Sequence, residues 1–187
     1  MELHEIKEKL KESLSKSRYE HTLGVANTAT CLAMRYEYDL EKAYLAGLLH
    51  DCAKATPDKD KLRECRENNI PITRQEELLP HLLHAKLGEF KAKNEYGIDD
   101  PEILNAIKFH TTGRVNMSLL EKIIFVADYI EPGRDKAANL TFLRKIAFVN
   151  LDETIYHICK DTIYYLNSLN SIIDVKTLET YEYYKNK

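Results

Sequence analysis

Asp39-Leu40-Glu41-Lys42-Ala43-Tyr44-Leu45-Ala46-Gly47-Leu48-Leu49-His50-Asp51 is the stretch from which the fold is read. Asp39 is a helix-capping residue, and the apolar run behind it lacks the strict alternation of a strand, which predicts a helix over about 40–53. His50 and Asp51 stand together at the end of that run. A lone polar group buried without a partner costs about 2–7 kcal/mol, so an ionised carboxylate beside an imidazole there needs something positive nearby. A divalent metal ion is the simplest candidate.

Outward from this stretch the chain reads as helices throughout. Six glycines and five prolines, with no alternating runs rich in Val, Ile and Thr, argue against a sheet and for an all-α, single-domain helical bundle over residues 1–187. About eight or nine helices are expected. The first covers about 2–15 with Leu3, Ile6, Leu10 and Leu14 on one face, and the second, about 18–37, carries His21 in line with Val25 and Thr28. Thr56-Pro57 opens a short helix to about 68, and Asn68-Asn69-Ile70-Pro71 breaks it.

A helix over about 82–96 stops at Gly97, and Asp100-Pro101 starts another that runs to His110. Ser118-Leu119-Leu120-Glu121 is a capping box opening the helix that carries Asp128 and stops before Pro132. Residues of about 140–170 give one or two long helices, with Phe142, Ile146, Val149, Ile155, Ile158, Ile163 and Leu166 inward. Tyr181, Tyr183 and Tyr184 in the tail either close the core or form a homodimer contact.

Cys31, Cys52, Cys65 and Cys159 form no C-x-x-C pair, which predicts reduced packing thiols and a cytoplasmic location. The charged start Met1-Glu2-Leu3-His4-Glu5 has no signal core, and no stretch approaches twenty apolar residues, so no membrane association is expected. A net charge of −3 with interspersed signs provides no broad basic surface for nucleic acid. Phosphate is then held locally, by a few cations and a metal.

Four residues frame that metal: His21, His50, Asp51 and Asp128, in helical and largely apolar contexts. Imidazole and carboxylate donors suit iron, manganese, cobalt or zinc, and without a thiolate set a structural zinc is disfavoured. Neighbours on a helix differ by about 100°, so His50 and Asp51 are expected to diverge, although a carboxylate can bridge two ions. His84 and His110, at the ends of apolar helices, make the site more crowded; their plainer reading is polar packing. His81 rivals His84 but follows Pro80 and is expected to be exposed.

A bridged centre would hydrolyse a phosphoanhydride by lowering the pKa of a bound water and stabilising phosphoryl charge, with no serine or cysteine nucleophile. Asp51 and Lys54 are the catalytic candidates, Lys54 bringing an ammonium to the phosphates. Arg18 and Arg134 could fork onto phosphate oxygens. Thr111, Thr112 and Gly113 could add donors, although a helix stop explains Gly113 equally well.

The order His21, His50-Asp51, Asp128 is similar to that of the HD-domain metal-dependent phosphohydrolases. More closely, the chain resembles their YqeK-type symmetrical bis(5'-nucleosyl)-tetraphosphatase branch. The likeness rests on Arg18-Tyr19-Glu20-His21-Thr22-Leu23-Gly24-Val25, Leu48-Leu49-His50-Asp51-Cys52-Ala53-Lys54, Leu83-His84-Ala85, His110-Thr111-Thr112-Gly113 and Lys122-Ile123-Ile124-Phe125-Val126-Ala127-Asp128-Tyr129-Ile130-Glu131-Pro132-Gly133-Arg134. These blocks span about 18–134, the core of a single HD domain, and Leu143-Arg144-Lys145-Ile146-Ala147 looks like the helix that follows.

The resemblance implies cleavage of diadenosine tetraphosphate and related dinucleoside polyphosphates into two ADP at one or two iron or similar ions. It implies His21, His50, Asp51 and Asp128 as ligands, with His84 and His110 completing a second position or gripping phosphate. Arg18, Lys54, Thr111 and Arg134 would contact the nucleotide. The chain lacks the Gly-Tyr-Pro signature of the cyclic-dinucleotide branch, and Cys52-Ala53-Lys54 stands where the alarmone hydrolases carry an acidic pair. Two other functions compete: a phosphohydrolase of mononucleotides or an NAD-related cofactor, and a non-catalytic nucleotide-binding sensor, which would be free to lose ligands.

Overall fold

Leu40 starts a helix because the Asp39 carboxylate accepts from the Lys42 backbone N–H at 2.9 Å, supplying a partner that a helix start otherwise lacks. The computed structural model describes residues 1–187 and holds eleven α-helices with no strand. They are α1 (Leu3–Ser13), α2 (Lys16–Arg35), α3 (Leu40–Leu49), α4 (Asp58–Glu67), α5 (Arg74–Leu78), α6 (Leu83–Tyr96), α7 (Pro101–Phe109), α8 (Leu119–Ile130), α9 (Leu140–Ile146), α10 (Leu151–Ser168) and α11 (Val175–Lys185). A 3₁₀ turn, Pro80–Leu82, leads into α6.

Ser15, Asp100, Ser118 and Asn150 cap α2, α7, α8 and α10 through their side-chain oxygens, and Ser118 with Glu121 forms the expected capping box. Gly97, at φ +72°, closes α6 in the left-handed conformation that other residues disfavour. The all-α single-domain reading holds. No helix is long and apolar enough to cross a membrane.

Helix α8 is the axis of the bundle. Leu120, Ile123, Ile124, Phe125, Val126, Ala127 and Ile130 bury it on nearly every side, against α2, α3, α7 and α10. A smaller cluster of Ala53, Cys65, Leu83 and Leu87 lies beneath α4 and α6. The tail tyrosines close the core: the Tyr184 hydroxyl accepts from the Met117 backbone N–H at 3.1 Å, and Tyr181 stacks on Tyr156.

Small residues let α2 and α3 approach closely. Ala26, Ala29 and Ala33 of α2 and Ala43 and Ala46 of α3 are fully buried, and a Cβ on Gly47 would lie 2.8 Å from Ala26 Cα. This contact sets His21, on the same face of α2 as Val25, opposite the end of α3.

Several expectations are corrected. Helix α3 ends at Leu49 rather than near 53, and tight turns follow in which Cys52 N–H reaches Leu49 O and Lys54 N–H reaches Asp51 O. The helices over Arg74–Leu78 and Val175–Lys185 were not anticipated, being a short element and a segment read as a tail. Phe142 is exposed because it lies off the Leu140, Leu143 and Ala147 face of α9, and Val149 because α9 stops at Ile146 and the turn before α10 resets the helical phase, so that Leu151 takes the next inward position. Leu3 lies past the edge of the core, and Cys31 is exposed rather than packed.

Gly47→Ala tests the close approach. The new methyl must separate two backbones, an overpacking cost of about 1–3 kcal/mol that exceeds the gain of at most about 1 kcal/mol in helix propensity. A net loss of stability is expected in urea denaturation. Gly88→Ala, whose Cβ would lie 3.3 Å from the Ile107 side chain and at ordinary contact distance, 3.6 and 3.7 Å, from His50 O and Cys52 Sγ, should cost less.

Candidate metal centre

Three histidines stand where helices begin or end, and each exploits a main-chain carbonyl left free there. His50 follows the last residue of α3, and its Nδ1 lies 2.7 Å from Gly47 O. His110 follows α7, with Nδ1 2.7 Å from Ile107 O; in the first turn of α6, His84 Nδ1 reaches His81 O. A carbonyl only accepts, so each Nδ1 carries the proton and each Nε2 presents a lone pair. His21 lies inside α2, and its Nδ1 donates to Glu131 Oε1 at 3.0 Å.

All four Nε2 atoms face one buried centre. Asp51 stands in its middle, with only 3% of its side chain exposed. Its Oδ1 lies 3.3 Å from His84 Nε2 and 3.5 Å from His110 Nε2, and its Oδ2 lies 3.5 Å from His50 Nε2 and 4.0 Å from His21 Nε2. Asp128 Oδ1 lies 3.1 Å from His21 Nε2 and 3.9 Å from His50 Nε2. His50 and Asp51 converge, with Nε2 3.5 Å from Oδ2, contrary to the divergence expected of helical neighbours and although the backbone at His50 is still helical.

Cations ring the centre. Arg18 Nη1 donates to Asp51 Oδ2 at 2.8 Å, and Arg134 Nη2 donates to Asp128 Oδ1 at 2.8 Å. Lys54 Nζ lies 3.0 Å from His84 Nε2 and 3.7 Å from Asp51 Oδ1. Thr111 Oγ1 is 3.1 Å from the Nε2 atoms of both His84 and His110. On the Arg18 and Arg134 side, Ser17, His21, Gly24, Glu131 and Lys136 help line a cleft of about 660 Å³.

Burial opposes ionisation of Asp51, but His50, His110 and the Lys54 ammonium around it outweigh it and hold the carboxyl well below the usual carboxylate range. Asp128 is likewise held low, burial being overcome by His21, His50 and Arg134. Burial and the Lys54 ammonium push His84 well below 6.5, so its ring is neutral. Burial lowers the Lys54 pKa, and for His21 the Asp128 and Glu131 carboxylates overcome burial and raise it. Burial pushes the Cys52 thiol up to about 12, leaving no thiolate to act as ligand or nucleophile at neutral pH.

The cluster fits a divalent cation. His21 Nε2, His50 Nε2 and Asp51 Oδ1 are buried with no hydrogen-bond partner. The Nε2 atoms of His84 and His110 lie 3.2 Å apart, and with both Nδ1 atoms protonated their lone pairs face each other. Lys54 Nζ and Thr111 Oγ1 share that half of the cluster with them, whereas His21 Nε2, His50 Nε2 and Asp51 Oδ1 are left for a cation to satisfy. Ligand-range groupings join His21, His50 and Asp51; His50, His110 and Asp128; and Asp51, His84 and His110.

Of the residues singled out in the sequence, Arg18, His21, His50, Asp51, Lys54, His84, His110, Thr111, Asp128 and Arg134 come together here. Thr112 and Gly113 do not. The Thr112 hydroxyl bonds to Gly113 O, the Gly113 N–H is taken by Phe109 O, and Gly113 packs against Thr180 of α11, so both serve the turn after α7. His81 is exposed, as expected. Glu131, given no role by the sequence reading, also joins the cluster through its contact with His21 Nδ1; its signal was a charged residue one helical turn after Asp128, at the end of an apolar helix.

Residues 18–133 match the HD domain family. A protein of Halalkalibacterium halodurans named symmetrical bis(5'-nucleosyl)-tetraphosphatase is 43% identical, over 92% of this chain and 91% of its own length. One of the same name from Staphylococcus aureus is 40% identical, over 98% and 95%. A crystal structure from Clostridium acetobutylicum, described as a predicted HD superfamily hydrolase involved in NAD metabolism, superposes with a TM-score of 0.96 at 40% identity, covering 100% of this chain and 98% of that one. With likeness of this extent in both sequence and fold, the chain belongs to the HD-domain family, in the group of its symmetrical bis(5'-nucleosyl)-tetraphosphatases.

Proposed function

We propose that this chain hydrolyses diadenosine tetraphosphate and related dinucleoside polyphosphates symmetrically, giving two ADP, at a divalent-metal centre held by His21, His50, Asp51, His84, His110 and Asp128. The observation that carries this reading is the set of partnerless buried atoms, His21 Nε2, His50 Nε2 and Asp51 Oδ1, in a cluster flanked by Arg18, Lys54 and Arg134. Asp51 turns Oδ1 toward His84 and His110 and Oδ2 toward His50 and His21, so either half of the cluster could hold an ion with this carboxylate among its donors. Iron is the preferred metal from the nitrogen and oxygen donors and the family likeness, with manganese, cobalt and zinc sharing those preferences. When bound, such ions supply a lowered pKa for water and charge stabilisation on phosphoryl oxygens.

The protein's own groups do the rest. Lys54 stands beside Asp51 Oδ1 and Arg18 beside Oδ2, with Arg134 beyond on Asp128. Cations on both sides suit a phosphate chain gripped either side of its central anhydride, which is what a symmetrical cut requires. Thr111 adds a hydroxyl on the His84 and His110 side. The balanced net charge of −3 favours a small nucleotide over nucleic acid, and the free cysteines fit a cytoplasmic setting.

A second reading has one observation in its favour: the Clostridium acetobutylicum relative is described as involved in NAD metabolism. Rates across diadenosine tetraphosphate, mononucleotides and NAD-related pyrophosphates separate the two. ATP plus AMP as products would count against a symmetrical cut.

Purified protein loaded with iron, manganese or cobalt should release ADP from diadenosine tetraphosphate, and Asp51→Ala should abolish the release and reduce bound metal; unchanged turnover rejects the reading. Lys54→Met is expected to lower kcat by roughly 10²–10³, the scale of losing one charge-stabilising group. Arg134→Ala should act mainly on KM, since its side chain is 41% exposed at the mouth of the site.

The sign of the pH dependence follows from His21, whose pKa lies above 6.5. Protonated His21 has no lone pair for a cation, so cobalt affinity should rise as pH climbs through that raised value. The lowered pKa values of Asp51, Asp128 and His84 place their proton competition at lower pH. Calorimetric titration at stepped pH should show the rise, moved to lower pH in His21→Asn.

A further inference from the structure

The ring of His21 is held differently from its three companions. His50, His84 and His110 stand at helix termini and give their Nδ1–H to the free carbonyl of the residue three positions earlier. His21 is inside α2, where that carbonyl belongs to the helix ladder and is unavailable to a ring. Its outer nitrogen meets Glu131 instead.

Glu131 is built for this contact. It is 3% exposed, at the residue that ends α8, and of the two carboxylates beside the ring it alone is hydrogen-bonded: Glu131 Oε1 lies 3.0 Å from Nδ1, while Nε2, with Asp128 Oδ1 at 3.1 Å, has no hydrogen-bond partner. The other carboxylate oxygen accepts from the Gly133 N–H at 2.5 Å. Room comes from Gly24, three residues beyond His21 on α2, where a Cβ would fall 2.5 Å from Glu131 Oε2. Arg144 of α9 then secures the backbone, donating to Ile130 O, Glu131 O and Arg134 O at 2.8–2.9 Å.

We propose that Glu131 is a positioning residue for His21: its carboxylate fixes the ring with Nδ1–H outward and Nε2 toward the cluster, and its charge strengthens Nε2 as a donor to a cation. The inference rests on the metal-centre reading for its consequence, though not for its geometry. An anionic partner behind a ligating imidazole orients the ring and raises its basicity, and its loss typically costs about 10–100-fold in metal affinity. Gly24 is a second determinant of the same contact.

The test has one arm without metal and one with it. In full-length protein labelled with ¹⁵N-histidine and stripped by chelator, at a pH where His21 is neutral, wild-type His21 should show the Nδ1–H tautomer. Glu131→Ala and Gly24→Ala should mix the tautomers, while Glu131→Gln, whose amide oxygen still accepts, should retain the wild-type form. In cobalt titrations Glu131→Ala should bind about 10–100-fold more weakly, and Glu131→Gln should fall between it and wild type. In a His21→Ala background, removing Glu131 should cost nothing further.

A tautomer unchanged in Glu131→Ala overturns the proposal, as does an additive loss of affinity in the double variant. Weaker cobalt binding with the wild-type tautomer retained marks a purely structural role and overturns it equally. If wild-type protein itself binds no cobalt, the metal-centre reading fails, and the metal-free arm still decides what holds the ring.

Discussion

A carboxylate buried at the junction of several helices has to be compensated, and Asp51 is that carboxylate. Arg18 reaches it from α2, His84 from α6 and His110 from the end of α7, while His50 and Lys54 flank it in the chain. Removing one partner of such a buried charge typically costs about 3–5 kcal/mol, because the survivor remains uncompensated. The groups that compensate Asp51 are the same groups that make the site. Stability and chemistry therefore make the same demand on where α2, α3, α6 and α7 meet.

The donor geometry arises from helix termini. A helix leaves its last carbonyls unpaired, and a histidine placed there can use one to lock its tautomer. His50 and His110 do so beyond α3 and α7, and His84 does so against the turn that precedes α6. Their Nε2 lone pairs are thereby committed to the interior before any ligand arrives. The close approach of α2 and α3 at Gly47 brings His21 to the same place, and Glu131 supplies the acceptor that a mid-helix position denies.

Charge is partitioned along the centre as well. Asp51 and Asp128 stay ionised, and His84 stays neutral under the joint effect of burial and Lys54. Arg18 and Arg134 each spend part of their fork on a carboxylate and face the cleft of about 660 Å³ with the remainder. The result is a strongly polar, partly shielded surface suited to an anionic chain, without the broad basic face that a polymer would need.

The sequence by itself determined the helical class, most helix starts and the principal donors. Capping residues, Gly97 and the apolar spacing act over a few residues, and His50-Asp51 at the end of an apolar run announces a buried charge wherever the chain goes. Only the tertiary structure decided which donors converge. His50 Nε2 and Asp51 Oδ2 meet at 3.5 Å although the backbone at His50 is still helical, and a reading from helical spacing alone sends the two side chains apart. Thr112 and Gly113 belong to a turn against α11, a helix with no strong apolar period to reveal it. Glu131 acquires its role through a contact with His21 across 110 residues of chain, and separations of that length leave no local pattern because side-chain direction and helix packing together create them.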